Sequence, residues 1–127
     1  MNEQIRSYTE LEVWKQAKDL VKEIYLATSL FPKEEMFGLV NQMRRCAVSI
    51  PSNIAEGCGR NHTKDSIQFF FIARGSLYEL ETHLHLSSDL GFLKEENSDK
   101  LLTKLLHARK LLSGFIRYYQ QLEIKKQ

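Results

Sequence analysis

The sequence predicts an all-α fold, an up-down-up-down four-helix bundle, on three observations. Apolar residues recur at spacings of three and four through four long stretches. Only two prolines and six glycines punctuate 127 residues, and no alternating, β-branched run calls for a strand. A chain of this length with 43% hydrophobic residues fills one core, so residues 1–127 are read as a single domain.

The first helix is expected to open at Thr9, where Thr9-Glu10-Leu11-Glu12 has the form of a capping box, and to fade near Leu30. Val13, Ala17, Leu20 and Ile24 make one apolar row on it, with Trp14, Val21 and Tyr25 beside them. Phe31-Pro32 breaks the helix, because proline disfavours a helical residue before it and is welcome in a new first turn. Helix two then carries Met36, Val40, Met43, Ala47, Ile50 and Ile54 straight through Pro51. A kink is expected there, with Ser49, Ser52 and Asn53 placed to satisfy the freed backbone groups. Gly57 to Gly59 suit a left-handed stop.

Thr63 is the expected cap of helix three, which runs through Ile67, Phe70, Leu77, Leu80 and Leu84 until Gly91 ends it. Helix four is expected from Ser98 through Leu101, Leu105, Ala108, Leu112, Phe115, Tyr119 and Leu122. All four are read as similar in length, roughly 30–40 Å at 1.5 Å per residue, with short connections. Phe69, Phe70, Phe71 and Ile72 point about 100° apart around their helix, so some must meet a second surface. Self-association is the reading this favours.

Charge is close to balanced at +2, yet Lys100 to Gln127 holds seven Lys/Arg against Glu123 alone, net +6, leaving −4 on residues 1–99. A basic segment on an acidic body suits an anionic partner, RNA or DNA, with Lys100, Lys104, Arg109, Lys110 and Arg117 as phosphate-contact candidates. Met1–Arg6 has no charged-then-apolar signal pattern, and nowhere do about 18 apolar residues run unbroken, so the expectation is a cytoplasmic protein with no membrane partner. Cys46 and Cys58 on one helix would lie about 18 Å apart, too far for a disulfide.

No constellation for catalysis or a cofactor is found. His62, His83, His85 and His107 include no i, i+4 pair, so no metal site is expected. Glu79 and His83 are spaced one residue too far for a di-iron motif. Glu56-Gly57-Cys58-Gly59-Arg60 follows a helix instead of a strand and lacks the Lys-Ser/Thr ending of a phosphate loop. Arg44 and Arg45 on helix two, and Arg74, Glu79 and Glu81 on helix three, interrupt apolar stretches; a structural ion-pair network is favoured over a ligand site.

Arg44-Arg45-Cys46-Ala47-Val48-Ser49-Ile50-Pro51-Ser52-Asn53-Ile54-Ala55-Glu56-Gly57 resembles the signature of the four-helix bundle proteins encoded by intervening sequences in bacterial large-subunit (23S) ribosomal RNA genes. Phe70 with Ala73-Arg74-Gly75-Ser76-Leu77-Tyr78-Glu79-Leu80-Glu81-Thr82 resembles a second block, and Leu11-Glu12-Val13-Trp14 the opening. The resemblance implies a left-handed bundle, a homopentameric ring, and kinship with the nucleic-acid-binding accessory proteins of diversity-generating retroelements. Arg44, Arg45, Ser49, Pro51, Asn53, Glu56, Gly57, Gly75, Ser76 and Glu79 match motif positions to which it assigns no chemistry. The expectation is therefore a non-enzymatic homo-oligomer that binds nucleic acid, RNA first, or else a scaffold for a polymerase-like protein. Arg44, Arg45, Pro51, Asn53, Glu56, Phe69, Phe71, Arg74 and Glu79 are its structural or interface positions.

Overall fold

The structure, a computed structural model, describes residues 7–126; the polar stretch Met1–Arg6 lies outside them. Four helices make the bundle: α1 Glu12–Thr28, α2 Asn41–Cys58, α3 Thr63–Asp89 and α4 Glu95–Lys125. Each packs on the next in sequence, and α4 packs on α1 to close the set. Leu11, Cys58, Thr63 and Tyr119 meet at one end, from the start of α1, the end of α2, the start of α3 and the last turns of α4. At the other end Phe31 and Phe92, from the α1–α2 and α3–α4 links, lie ring to ring at 5.6 Å.

Periodicity placed most of the core, although Tyr25, read as part of the buried face of α1, is exposed. Val13, Ala17, Leu20 and Ile24 of α1, Met43, Ala47, Ile50 and Ile54 of α2, Phe70, Leu77, Leu80 and Leu84 of α3, and Leu101, Leu105, Ala108 and Leu112 of α4 are all buried. Phe70 is at the centre of an aromatic cluster, 5.1 Å from Phe115 and 4.9 Å from Tyr119 between ring centroids. Burying such a ring contributes roughly 1.5–3 kcal/mol.

The ends differ from expectation. Thr9 caps nothing: Ser7 accepts from the Thr9 amide to cap a single 3-10 turn, Tyr8–Glu10. Leu11 is extended, and α1 begins only at Glu12. Thr63 is the first residue of α3 and not its cap; His62 holds that position without a side-chain bond. Helix α4 starts three residues before Ser98, which is buried inside it. Gly91 adopts the left-handed conformation with φ 80°, whereas Gly59 stays right-handed at φ −86°. The helices are also unequal, roughly 26, 27, 40 and 46 Å long at 1.5 Å per residue.

The α1–α2 link is longer than a simple break. A 3-10 turn, Lys33–Glu35, is followed by a π-helical segment, Met36–Val40, in which Gly38 departs from helical geometry (φ −113°, ψ −111°). Met36 is thus exposed and outside α2. Helix α2 runs on through Pro51. Asn53 Nδ2 donates to the Ser49 carbonyl at 2.8 Å and Ser49 Oγ to that of Cys46 at 2.6 Å. These are neighbours of the Ala47 carbonyl that Pro51 leaves without an amide donor. Ser52 is exposed and takes no part.

Candidate functional site

The polar residues of the α2–α3 seam do not form one ion-pair network. Arg44 is half-buried and spends its guanidinium on α1: Nε donates to Thr28 Oγ1 at 2.9 Å, Nη2 to the Tyr25 carbonyl at 3.4 Å, and the plane stacks 4.5 Å from the Tyr25 ring. Arg45 is exposed. Arg74 lies over Phe71 and Arg60 over Phe69, at 5.2 and 4.4 Å from the ring centroids. Phe70 is fully buried, so of the apolar quartet Ile72 alone is more than half exposed. Glu56 pairs loosely with Arg60 at 3.4 Å across an exposed turn.

Helix register brings three donor groups together on this seam. Cys46 of α2 donates its thiol to the Ser76 carbonyl at 3.1 Å, beside a 2.6 Å bond between the Ser49 and Ser76 hydroxyls. Glu79 and His83, one turn apart on α3, approach to 3.6 Å between Oε2 and Nε2. The sulfur, a Glu79 oxygen and a His83 nitrogen lie within 4.8 Å of one another. Burial, then the Glu79 charge, pushes the Cys46 thiol up to about 12. Burial lowers His83, with Glu79 opposing. The sequence signal was present in the i, i+4 pair Glu79 and His83; nothing local pointed to Cys46, which is distant in the chain.

The five basic candidates of α4 do not share a face. Taking about 100° per residue, Lys100 and Lys104 lie about 40° apart, Lys110 and Arg117 about 20° apart, and Arg109 about 140° from Lys104. Lys104 bonds Asp19 of α1 at 2.8 Å, which raises its pKa. Arg109 is held by Glu81 of α3 at 2.7 Å and stacks 4.3 Å over Tyr78. Lys100 lines a groove of about 570 Å³ with Leu26, Leu30 and Phe92. Lys110 and Arg117 are exposed and, among the described residues, carry no ion pair.

Over residues 9–114 the sequence matches the family described as 23S rRNA-intervening sequence protein. The chain belongs to this family. Among solved structures, a protein of unknown function from the S23 ribosomal protein family of Bacteroides thetaiotaomicron is similar, with a TM-score of 0.74 and 24% identity over 82% of this chain and 97% of that one. At that identity the likeness concerns the fold. No curated protein matches.

The family match spans α1, α2, α3 and the larger part of α4. Large apolar side chains stay open to solvent, above all Phe37 at 93% and Leu30 at 83%. At the end where Cys58 and Tyr119 meet, a cavity of about 910 Å³ opens between Tyr8, Arg60 and Phe115. Burial pushes the Cys58 thiol up to about 11 and raises Tyr119. No described helix is long and apolar enough to cross a membrane.

Proposed function

We propose that the protein is a non-enzymatic binding protein that associates with itself and engages nucleic acid, RNA first, through the outer face of α4. The observation that carries this reading is the exposed Lys110 and Arg117 pair, uncommitted among the described residues and followed by exposed Tyr118, Lys125 and Lys126 at the same end of the chain. A few such cations are weak singly; repetition around an assembly raises the effective concentration and multiplies them. Exposed Phe37, Leu30, Leu90 and Ile72 supply apolar surface for self-association.

Lys110 and Arg117 come first among the phosphate contacts; Arg109 is held by Glu81 in a half-buried pair, and Lys104, whose pair with Asp19 is exposed, stays a secondary candidate. Light scattering with and without a short structured RNA, across a salt series, tests the reading. A defined oligomer of five or another fixed number of copies, with affinity that falls steeply with salt, supports it. Lys110→Glu with Arg117→Glu then flattens the salt slope by about one unit for each phosphate no longer engaged. An oligomer indifferent to RNA sinks the nucleic-acid reading. It favours the second one, a scaffold for a polymerase-like protein, which the exposed Phe37 also supports.

A further inference from the structure

We propose that Cys46, Glu79 and His83 form a site for a divalent transition-metal ion of borderline softness, zinc first, bridging α2 and α3. The donor atoms already lie within 4.8 Å of one another. In a tetrahedral zinc site with bonds of about 2.0–2.3 Å, ligand atoms sit roughly 3.3–3.7 Å apart. The Glu79 and His83 atoms, at 3.6 Å, are inside that range; the exposed Glu79 side chain can turn toward the sulfur, and the Cys46 sulfur and His83 nitrogen, no more than 4.8 Å apart, close by small turns of their own side chains. Sulfur, imidazole and carboxylate together suit zinc and do not suit magnesium or calcium. A thiolate and a carboxylate also supply two negative charges against the ion's two positive ones.

A second observation points to the same place. His83 is 6% exposed, yet its Nδ1 has no hydrogen-bond partner. Its Nε2 faces Glu79 at 3.6 Å, too long for a hydrogen bond. The ring thus makes no protein hydrogen bond at Nε2, which leaves that nitrogen open to an ion, while Nδ1 is the fully buried atom without a partner. A metal at Nε2 gives the ring one strong interaction, with Nδ1 keeping the ring proton. It reverses the electrostatics that hold Cys46 protonated: the S–H bond now aimed at the Ser76 carbonyl is replaced by a sulfur–metal bond, and the proton leaves to solvent. Glu79, with its side chain 59% exposed, marks the entry path and leaves space for water as fourth ligand.

The test uses the full chain, freed of metal by a chelator and titrated with cobalt(II) as a spectroscopic stand-in, then with zinc. The expected result is one equivalent of cobalt, with four-coordinate d–d bands and a thiolate-to-cobalt charge-transfer band, displaced by zinc, and a melting temperature that rises with added zinc. Cys46→Ala abolishes the charge-transfer band. Glu79→Gln and His83→Gln weaken binding by more than the roughly 10–100-fold that loss of an outer hydrogen-bond partner costs, while Cys58→Ser leaves the spectrum intact. Far-ultraviolet dichroism checks that each variant remains helical, and Cys46→Ser replaces Cys46→Ala if the latter does not fold. No cobalt spectrum from folded wild type, a band that survives removal of the Cys46 thiol, or one that disappears in Cys58→Ser would each overturn the assignment.

Discussion

Replacing Gly57 with alanine should destabilise the protein even though alanine is the better helix former. Gly57 is buried near the end of α2, where a Cβ would sit 2.4 Å from Phe70 Cε1, 2.8 Å from Cδ1 and 3.0 Å from Cζ. Carbon atoms prefer roughly 3.5–4.0 Å, so the ring would have to retreat by about 1 Å. It has nowhere to go, because Phe70 is fully buried and held between Phe115 and Tyr119. Overpacking of this kind costs about 1–3 kcal/mol, against roughly 0.8–1 kcal/mol gained from helix propensity. The expected net loss is about 1 kcal/mol, and up to about 2 kcal/mol. Urea unfolding followed by far-ultraviolet dichroism measures it as a lower midpoint at unchanged slope. Gly57→Ala with Phe70→Leu should show favourable coupling, since the smaller side chain vacates the space. A Gly57→Ala variant as stable as wild type, or more so, would refute the steric reasoning.

Three other outcomes follow from the polar groups. A double-mutant cycle on half-buried Arg109 and Glu81 should give a coupling of about 1–2 kcal/mol, whereas exposed Lys104 and Asp19 should give less than about 0.5 kcal/mol and lose it at high salt. Thr28→Val removes the acceptor of the Arg44 Nε–H and should cost about 1–2 kcal/mol by chemical denaturation. In a Cys46→Ala background, Cys58 should react with a disulfide reagent at pH 8 on the order of 100-fold more slowly than a thiol of ordinary pKa, because a value raised from 9.0 to about 11 lowers the thiolate fraction by that factor. The rate should climb about tenfold per pH unit until the thiol titrates; a rate equal to that of free cysteine at pH 8 would contradict the burial.

What the sequence made legible was whatever repeats with the helix. Core positions such as Leu20, Met43, Leu80 and Leu105 follow from a spacing of three and four, because one buried stripe per helix is the only way four helices share a core. Ends were less legible, since a cap depends on where the chain arrives from: Thr9 looked like a cap, yet Ser7 takes a different turn first. The α1–α2 link hid its π segment because no residue pattern distinguishes it from a continued helix. The α2–α3 cluster was least legible, because helix rotation and not residue spacing sets Cys46 beside His83. Likewise Lys104 and Arg109 read as free cations until Asp19 and Glu81 came into reach from other helices.

Arg44 clamps the last turn of α1 to the first turns of α2, so the intervening segment with Gly38 and Phe37 is mechanically bypassed. Phe31 and Val40 anchor the two ends of the link in the core, and between them Lys33, Glu34, Met36 and Phe37 stand exposed. Such a loop is the natural place for the chain to accept inserted residues, a grafted epitope or a cut, at small expense to the bundle.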